Sequence, residues 1–266
     1  MMRSLYSAVS GLKTHQVKMD VVGNNIANVN TIGFKKSNVT FQDTLSQTIK
    51  AANAPSANTG GTNPAQIGTG VMIGSINTVH TQGAISTTGN NTDVMIQGDG
   101  FFMLGRGNEI FYTRAGAFSF DSEGYLVNSS NGMYVLDTGG SEIQISDIET
   151  VKSYDITANG DLVYVDANGN NQVAGTIGLA KFANPSGLKK VGENMYIVSN
   201  NSGAPEQGQP GQDGRGTLIS GSLEMSNVDL AQEFTDMIIT QRGFQANSRT
   251  IRVSDEMLQE LVNLKR

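Results

Sequence analysis

The last forty residues, Asn227 to Arg266, constrain the fold more than any other stretch of this sequence. Every seventh residue in one register is apolar, and the set is Leu230, Met237, Phe244, Ile251 and Leu258. A second register, four residues further along, reads Phe234, Gln241, Ser248, Asp255 and Val262. Because no proline interrupts the repeat, it predicts one amphipathic helix about 55 Å long, with an apolar stripe that needs a partner.

The first thirty residues carry a matching pattern. Positions spaced alternately three and four apart are apolar with one polar exception, and the set is Leu5, Ala8, Leu12, His15, Met19, Val22, Ile26 and Val29. This spacing predicts a second helix of coiled-coil character. The two terminal helices are expected to lie side by side. Apolar residues that this pairing leaves uncovered are expected to pack against other copies of the chain.

An asparagine-rich run follows the first helix, starting at Gly23. Four asparagines fall within seven residues, at Asn24, Asn25, Asn28 and Asn30. Asparagine side chains bond to nearby backbone and tolerate left-handed conformations, and the following Gly33 permits a positive φ before Phe34. By residue chemistry alone, this run predicts an ordinary helix stop.

The middle of the chain changes period. Residues 39–50 have helical spacing and predict a short amphipathic element, whereas residues 51–64 are rich in Ala, Asn, Ser, Gly and Thr and predict a mobile loop. From 71 to 220 the period is two, with turn signals that include a hairpin at 98–100 and an Asn-Gly turn at 159–160. Residues 200–216 are rich in Gly, Gln and Pro and predict a second connector.

These patterns together predict an α+β fold. Long N- and C-terminal helices pack together as a coiled-coil-like inner domain and flank a central antiparallel β-rich domain. The expected segments are residues 1–36, the N-terminal helix with the asparagine-rich run; residues 37–70, a connector; residues 71–220, the β-rich outer domain; and residues 221–266, the C-terminal helix.

Composition and motifs argue against nucleic-acid, metal and catalytic sites. The chain has 266 residues, a net charge of −6, no Cys and two His, at positions 15 and 80. An acidic chain is a poor partner for nucleic acid, and the histidine spacing makes no metal site. No phosphate loop, nucleophile elbow or catalytic constellation is present, so we expect no cofactor and no enzyme activity. Residues 1–20 contain no continuous apolar run, so neither a cleaved signal nor a membrane-spanning segment is expected.

The motifs resemble those of the bacterial flagellar rod and hook axial proteins. The N-terminal match runs through Ser10-Gly11-Leu12, Met19 to Thr31 and Gly33-Phe34-Lys35. The β-domain matches are Gly98 to Phe102 and Tyr112 to Gly116, and the C-terminal matches are Leu223 to Leu230, Gln241 to Gln245 and Leu261 to Leu264. The resemblance covers nearly the whole chain. It gives the asparagine-rich run a functional meaning, as the family signature formed by Gly23, Asn24, Asn25, Asn28, Asn30, Gly33 and Phe34.

The resemblance implies a structural subunit that assembles into a tube. It also implies an assembly surface, here named the apolar seam, formed by Leu5, Leu12, Met19, Val22, Ile26, Leu230, Phe234, Met237, Phe244, Ile251, Leu258 and Val262. Expected partners are many copies of the chain, adjacent rod and hook–filament junction proteins, the hook cap and the flagellar type III export apparatus. No nucleic acid and no membrane insertion are expected. The implied location is the extracellular flagellum, reached without a cleaved signal.

Within the family, the ending from Glu224 to Arg266 is most similar to the short hook proteins of Gram-positive bacteria. The interpretation is therefore a hook subunit, part of a bendable universal joint between rod and filament. An insertion at residues 44–70 is instead a feature of the distal rod protein of Gram-negative bacteria, so the distal rod, or drive shaft, is the alternative. A soluble β-domain binding module with coiled-coil ends is an alternative of another class.

Overall fold

A computed structural model describes residues 2–55, 60–107, 109–146, 151–166 and 169–264. Helix α1 spans Met2–Ala27 and helix α2 spans Leu230–Leu264, and all the strands lie between them. The predicted α+β fold, with terminal helices flanking an antiparallel β-rich region, is therefore confirmed. Helix α2 begins directly after Asp229, whose carboxylate caps the first turn by accepting a hydrogen bond of 2.9 Å from the Ala231 backbone N–H.

Among the described residues, twenty strands lie between the helices. The first five are β1 Ser37–Asp43, β2 Ser46–Lys50, β3 Ala65–Gly68, β4 Val71–Thr78 and β5 Ile85–Thr87. The next eight are β6 Val94–Gln97, β7 Phe101–Arg106, β8 Glu109–Thr113, β9 Phe118–Phe120, β10 Leu126–Asn128, β11 Tyr134–Val135, β12 Ser153–Ile156 and β13 Asp161–Val165. The last seven are β14 Asn171–Thr176, β15 Leu179–Lys181, β16 Lys189–Gly192, β17 Met195–Ile197, β18 Glu206–Gly208, β19 Thr217–Ser220 and β20 Ser222–Glu224.

The chain forms two compact units. The helical unit contains Met1–Ala27, Ser37–Asn77 and Asp229–Arg266, and the β unit contains Asn28–Lys36 and Thr78–Val228. The division differs in detail from the segments expected from sequence. Strand β4 pairs with β1 in the helical unit, and β2 pairs with β3 there as a hairpin. Conversely, the end of the signature, residues 28–36, belongs to the β unit.

The β unit is built on a nine-stranded sheet. Its order is β16-β17-β8-β7-β11-β10-β9, and β15 pairs with both β7 and β18. A three-stranded sheet, β12-β13-β14, and two strand pairs, β6 with β19 and β5 with β20, complete it. Apolar side chains from these strands form one core that includes Val94, Phe102, Leu104, Leu162 and Leu179. The Asn159-Gly160 turn is confirmed: β12 and β13 are antiparallel on either side of it, and Gly160 has φ +90°.

Three local predictions are wrong, each because pairing between distant parts of the chain overrides the local pattern. Residues 98–100 do not join a hairpin, since β6 pairs with β19 while β7 pairs with β8, β11 and β15. Residues 39–50 are strands rather than a helical element, because β1 and β2 find partners in β4 and β3. The second connector, 200–216, contains β18, which joins the main sheet through β15.

Candidate functional site

Helices α1 and α2 pack against each other in the helical unit and run antiparallel. Gly11 lies beside Asn247, His15 lies beside Gly243, and Asn25 donates a hydrogen bond of 3.1 Å to the Glu233 carboxylate. In all three pairs the two residue numbers add up to 258, so the register is constant along the contact. At this register residue 2 lies near residue 256, and the last turns of α2, residues 257–264, extend past the first residue of α1.

Small and polar side chains form the contact between the helices. Among the described residues, those buried are Ala8, Gly11, Thr14, Val22 and Asn25 in α1 and Glu233, Thr240 and Ser254 in α2. The hydroxyl groups donate to their own helix: Thr240 Oγ1 donates to the Asp236 carbonyl at 2.6 Å and Ser254 Oγ to the Thr250 carbonyl at 2.8 Å. These two buried hydroxyl groups are thereby satisfied within their own helix, and the small side chains allow a close approach.

The structure distributes the apolar seam over two sides of the helix pair. Val22 is buried, and half-buried positions are Leu5, Leu12, Met19, Ile26, Met237, Ile251 and Leu258. The remaining four are exposed on the single chain: Leu230 by 40 %, Phe234 by 50 %, Phe244 by 37 % and Val262 by 67 %. The second register of α2 that faces α1 is Glu233, Thr240, Asn247 and Ser254, one residue before the register predicted from Phe234. More apolar surface therefore remains uncovered than the sequence pattern suggested.

Two glycines set the spacing of the helices. A Cβ atom at Gly11 would lie 2.7 Å from Asn247 Nδ2, and one at Gly243 would lie 2.6 Å from His15 Cε1. The His15 ring also makes an edge contact with Phe41, with centroids 5.5 Å apart. Partial burial, and then the nearby Lys18, lower the pKa of His15. His15 therefore acts as a packing group against a glycine in this structure.

One signature residue, Asn25, joins three elements of the helical unit. Its side-chain amide donates to the Ser37 carbonyl at 2.9 Å and to Glu233 Oε2 at 3.1 Å, and its Oδ1 accepts from the Ser37 backbone N–H at 3.0 Å. Asn25 is 2 % exposed. The end of α1, the start of β1 and the first turn of α2 are therefore held by one amide, which no aliphatic side chain can replace.

The other asparagines of the signature have different positions. Gly23 has open space around its Cα, and Asn24 and Asn30 are exposed. In the β unit, Asn28 ends the helix with a turn, since its carbonyl accepts from the Thr31 N–H at 3.1 Å and its Oδ1 from Thr31 Oγ1 at 3.1 Å. The predicted helix stop is therefore present, and it directs the chain into the next part of the signature.

Gly33 and Phe34 fix the end of the signature on the β unit. Gly33 has φ +67°, and its N–H donates to the Glu224 carbonyl at 2.8 Å. A Cβ at this position would lie 2.6 Å from the Ala115 backbone nitrogen. Phe34 is buried, and the Lys190 ammonium lies 4.9 Å from the centre of its ring. Glycine is needed here for both its backbone angle and its close approach.

Three buried charges meet next to this segment. Lys35 Nζ lies 2.5 Å from Glu224 Oε1 and donates to the Thr81 carbonyl at 2.7 Å. Arg114 Nη1 lies 3.3 Å from Glu224 Oε2, and the Gly83 N–H donates to Glu224 Oε1 at 2.9 Å. We name Lys35, Arg114 and Glu224 the ionic cluster. One carboxylate thus receives bonds from three separate parts of the chain.

Burial dominates the electrostatics of the ionic cluster. It lowers the pKa of the Lys35 ammonium, which Glu224 opposes, and it lowers the pKa of the Arg114 guanidinium in the same way. The side chains of Lys35 and Glu224 are fully buried, and that of Arg114 is 4 % exposed. Charged side chains that are fully shielded from solvent and well paired serve as a fixed structural junction, because no reacting group lies among them.

Sequence reasoning assigned no role to the ionic cluster. The three residues were present in three separate motifs, namely Gly33-Phe34-Lys35, Tyr112 to Gly116 and Leu223 to Leu230. A signal existed, since each of Lys35, Arg114 and Glu224 stands beside uncharged neighbours within its motif. Asn227 extends the junction, because its Oδ1 accepts from the Lys36 N–H at 2.8 Å and its Nδ2 donates to the Val79 carbonyl at 2.8 Å.

Other site chemistry is absent from the part of the chain that the structure describes. Within residues 2–55, 60–107, 109–146, 151–166 and 169–264, no cluster of His, Asp or Glu has a geometry that holds a metal ion. No helix in these ranges is both long enough and apolar enough to cross a membrane. The arrangement offers packing surfaces and a rigid junction.

Three family sequence profiles match the chain. The profile described as flagella basal body rod protein matches residues 5–35, which contain most of α1 and the signature. The profile of the flagellar hook protein FlgE/F/G D1 domain matches residues 95–164 in the β unit. The profile of the flagellar basal body rod FlgEFG protein C-terminal region matches residues 219–264, which contain α2.

Curated relatives match over the full length. The chain is 53 % identical over 267 residues to the flagellar basal-body rod protein FlgG of Bacillus subtilis, covering all of both chains. It is 40 % identical over 269 residues to the protein of the same name from Buchnera aphidicola subsp. Acyrthosiphon pisum, covering 99 % of this chain and all of the relative. It is 33 % identical to the flagellar hook protein FlgE of Borreliella burgdorferi over 441 aligned positions, covering all of both chains.

Proposed function

The chain belongs to the family of flagellar basal-body rod and hook proteins, and on that premise we propose that it is a structural subunit of the distal flagellar rod. The proposal rests on the aligned length of the relatives together with their sequence identity to this chain. The Bacillus subtilis rod protein matches at 53 % over 267 positions, whereas the Borreliella burgdorferi hook protein needs 441 aligned positions to match this 266-residue chain at 33 %. The hook, favoured by the sequence pattern of the ending, is the second candidate.

The region from 44 to 70 supports the rod. Sequence resemblance identifies an insertion at this place as a feature of distal rod proteins. In this chain it contains the β2–β3 hairpin, in which Ser46 pairs with Gly68 and Lys50 with Ala65. Leu45, Ile49 and Ile67 are exposed by 82 %, 64 % and 46 %. A two-stranded hairpin is marginal by itself, so packing against neighbouring subunits would stabilise this one.

Assembly in this proposal depends on the uncovered part of the apolar seam. Phe234, Phe244 and Val262 are substantially exposed on the single chain, and so are Ile238, Met257 and Leu261 outside the seam. Covering a side chain of this size contributes on the order of 1.5–3 kcal/mol. Neighbouring copies that cover several of them at once form a stable tube.

The remaining parts of the proposal follow from family membership. The subunit passes unfolded through the flagellar type III export apparatus and joins the basal body outside the cell. As a distal rod subunit its neighbours are copies of itself and the adjacent rod proteins; the hook–filament junction proteins and the hook cap would adjoin it only under the hook alternative. The role is mechanical: the rod transmits torque as a drive shaft, and no enzyme activity forms part of the proposal.

Electron microscopy of basal bodies from a deletion strain tests the rod against the hook. A distal rod subunit is required before the hook can grow, so the strain should yield short rods with neither a distal segment nor a hook. Complementation with the wild-type gene should restore both. Basal bodies that have a complete rod and lack only the hook would overturn the proposal, and the hook assignment would replace it.

Sedimentation of the purified chain separates both candidates from a coiled-coil binding module. A rod or hook subunit should be monomeric when dilute and should form tubes when concentrated or seeded with basal bodies. A closed oligomer of fixed size at every concentration would instead identify a coiled-coil module.

A further inference from the structure

A cavity of about 250 Å³ opens in the β unit beside the ionic cluster. Its lining residues are His80, Asp99, Gly100, Phe101, Arg114, Lys181, Phe182, Ala183 and Pro185. Two aromatic rings, Phe101 and Phe182, meet edge to face with centroids 5.7 Å apart, and the Arg114 guanidinium lies 5.3 Å from the centre of the Phe101 ring. The cavity therefore combines an aromatic wall with cationic groups.

The charges around the cavity do not balance. The ionic cluster holds two cations, Lys35 and Arg114, against the single carboxylate of Glu224, and all three are buried. Lys181 adds a further positive charge at the cavity, where its Nζ donates a long hydrogen bond of 3.4 Å to the Asp213 carbonyl. Asp99 also lines the cavity and favours the charged Arg114 guanidinium, although solvent screens its charge because it is exposed. With Asp99 included, the three cations Lys35, Arg114 and Lys181 still exceed the two carboxylates by one. Buried excess positive charge is costly without an anion nearby.

Buried nitrogen atoms at the same place lack partners. Arg114 donates from Nη1 to Glu224 and from Nη2 to the Gly98 carbonyl at 2.9 Å, yet its Nε has no hydrogen-bond acceptor among the described residues. Neither ring nitrogen of His80 has a hydrogen bond of good geometry within the same part of the chain, and its interaction with the Pro185 backbone is weak. Unsatisfied buried polar groups are uncommon in folded proteins and point to a missing partner.

We propose that this cavity binds a carboxylate carried on a short apolar stem. The acid group is placed near Arg114, His80 and Lys181, where the excess positive charge and the unpartnered nitrogens lie. The stem packs on Phe101, Phe182 and Pro185. Two sources supply this chemistry: the glutamate side chain of a second copy of the chain, or a free organic acid. The proposal goes beyond the assembly role of the helices and does not depend on the rod assignment.

Nuclear magnetic resonance on the isotope-labelled full-length protein tests binding. Benzoate is the probe, and benzyl alcohol, which has the same ring without the charge, is the matched ligand. Benzoate at up to about 20 mM should shift the His80 ring signals and the Phe101 and Phe182 signals in a saturable way, whereas benzyl alcohol should not. Lys181→Glu should weaken benzoate binding by about tenfold or more, and Lys189→Glu, the same charge change at an exposed site on β16, should leave it unchanged.

Seeded polymerisation of the same variants identifies the source. If a second copy supplies the carboxylate, Lys181→Glu and added benzoate should both slow growth, whereas Lys189→Glu should not. If the source is a free acid, benzoate should bind while growth proceeds at the wild-type rate in all variants. Failure of every protein to polymerise would count against the rod proposal alone. Unchanged His80 signals in saturating benzoate would overturn the cavity proposal.

Discussion

The ammonium of Lys35 and the carboxylate of Glu224 lie 2.5 Å apart, although 189 residues separate them in the chain, and neither side chain reaches solvent. The contact joins the end of the signature to strand β20 inside the β unit. A buried pair of this kind contributes little net stability over an apolar pair, but breaking it is expensive. Its value is therefore in fixing where the segment that follows α1 attaches.

Glu224→Gln should destabilise the β unit by roughly 3–5 kcal/mol, because Lys35 and Arg114 would remain buried without a counter-charge. Urea denaturation followed by near-ultraviolet circular dichroism measures the change. Glu206→Gln, an exposed position on β18, is the matched control and should alter stability by less than about 0.5 kcal/mol. Equal midpoints for the two variants would contradict the role given to the ionic cluster.

Gly33→Ala should lower the free energy of unfolding by considerably more than the strain of its backbone angle alone predicts. Gly33 has φ +67°, and the new methyl group would lie 2.6 Å from the Ala115 nitrogen. Gly89→Ala isolates the angle, because Gly89 has φ +73° with open space around it. The control should lose about 1–2 kcal/mol, and Gly33→Ala clearly more, in thermal unfolding of the purified protein. A smaller loss at Gly33 would mean that the signature segment can move away from Arg114 and Ala115, which follow strand β8.

Acidification should weaken the β unit through His80. Burial, followed by the charges of Lys35, Arg114 and Lys190, lowers the pKa of His80 from 6.5 to about 4, against a weaker raising effect of the Pro185 carbonyl. Between pH 6.5 and pH 4, His80 therefore binds a proton more readily in the unfolded chain than in the folded one. Stability is lost as the pH falls from 6.5 towards 4, by about 3 kcal/mol in total.

His80→Phe tests this assignment, since a phenyl ring fills the same space between Phe101 and Tyr196 without titrating. The carboxylates titrate in both proteins, so the difference in unfolding free energy between wild type and variant isolates the imidazole. That difference should change between pH 7 and pH 4 in favour of the variant. A constant difference across this range would show that His80 is not the titrating group.

Gly11→Leu should separate the helix pair, because even a Cβ at this position would lie 2.7 Å from Asn247. Gly23→Leu is the control within the same helix, with no atom within 4 Å of its Cβ position, and it should raise helix stability by roughly 0.5–1 kcal/mol. Far-ultraviolet circular dichroism of dilute protein during heating reports the outcome. Similar melting of both variants would indicate that α1 and α2 do not need to approach closely.

Phe244→Asp should prevent assembly while leaving export intact. Phe244 is 37 % exposed on the single chain, and a carboxylate there would enter the surface proposed to be covered by neighbouring copies. A loss of only about 1.4 kcal/mol per contact raises the concentration needed for growth tenfold. Gln259→Asp, at an exposed position further along α2, should be nearly silent. Normal rods built from Phe244→Asp protein would exclude the apolar seam as the assembly surface.

Sequence periodicity predicted the type of both terminal helices and failed on which side of α2 faces α1. The repeat of Leu230 and Phe244 is strong enough to identify a helix, since apolar spacing is a local property. Choosing the inward register requires knowing the partner. Gly11 and Gly243 allow so close an approach that the polar register with Thr240 and Ser254 fits between the helices, and Phe234 turns outward.

By itself the sequence determined the fold class, the presence of the two terminal helices, the turn at Asn159-Gly160 and the family, because each depends on residues close together in the chain. Only the tertiary structure decided that β6 pairs with β19 and that residues 39–50 form strands. It alone also decided that Lys35 and Glu224 share one buried site. Such contacts depend on which distant segments can exclude water together, and no local pattern encodes that choice.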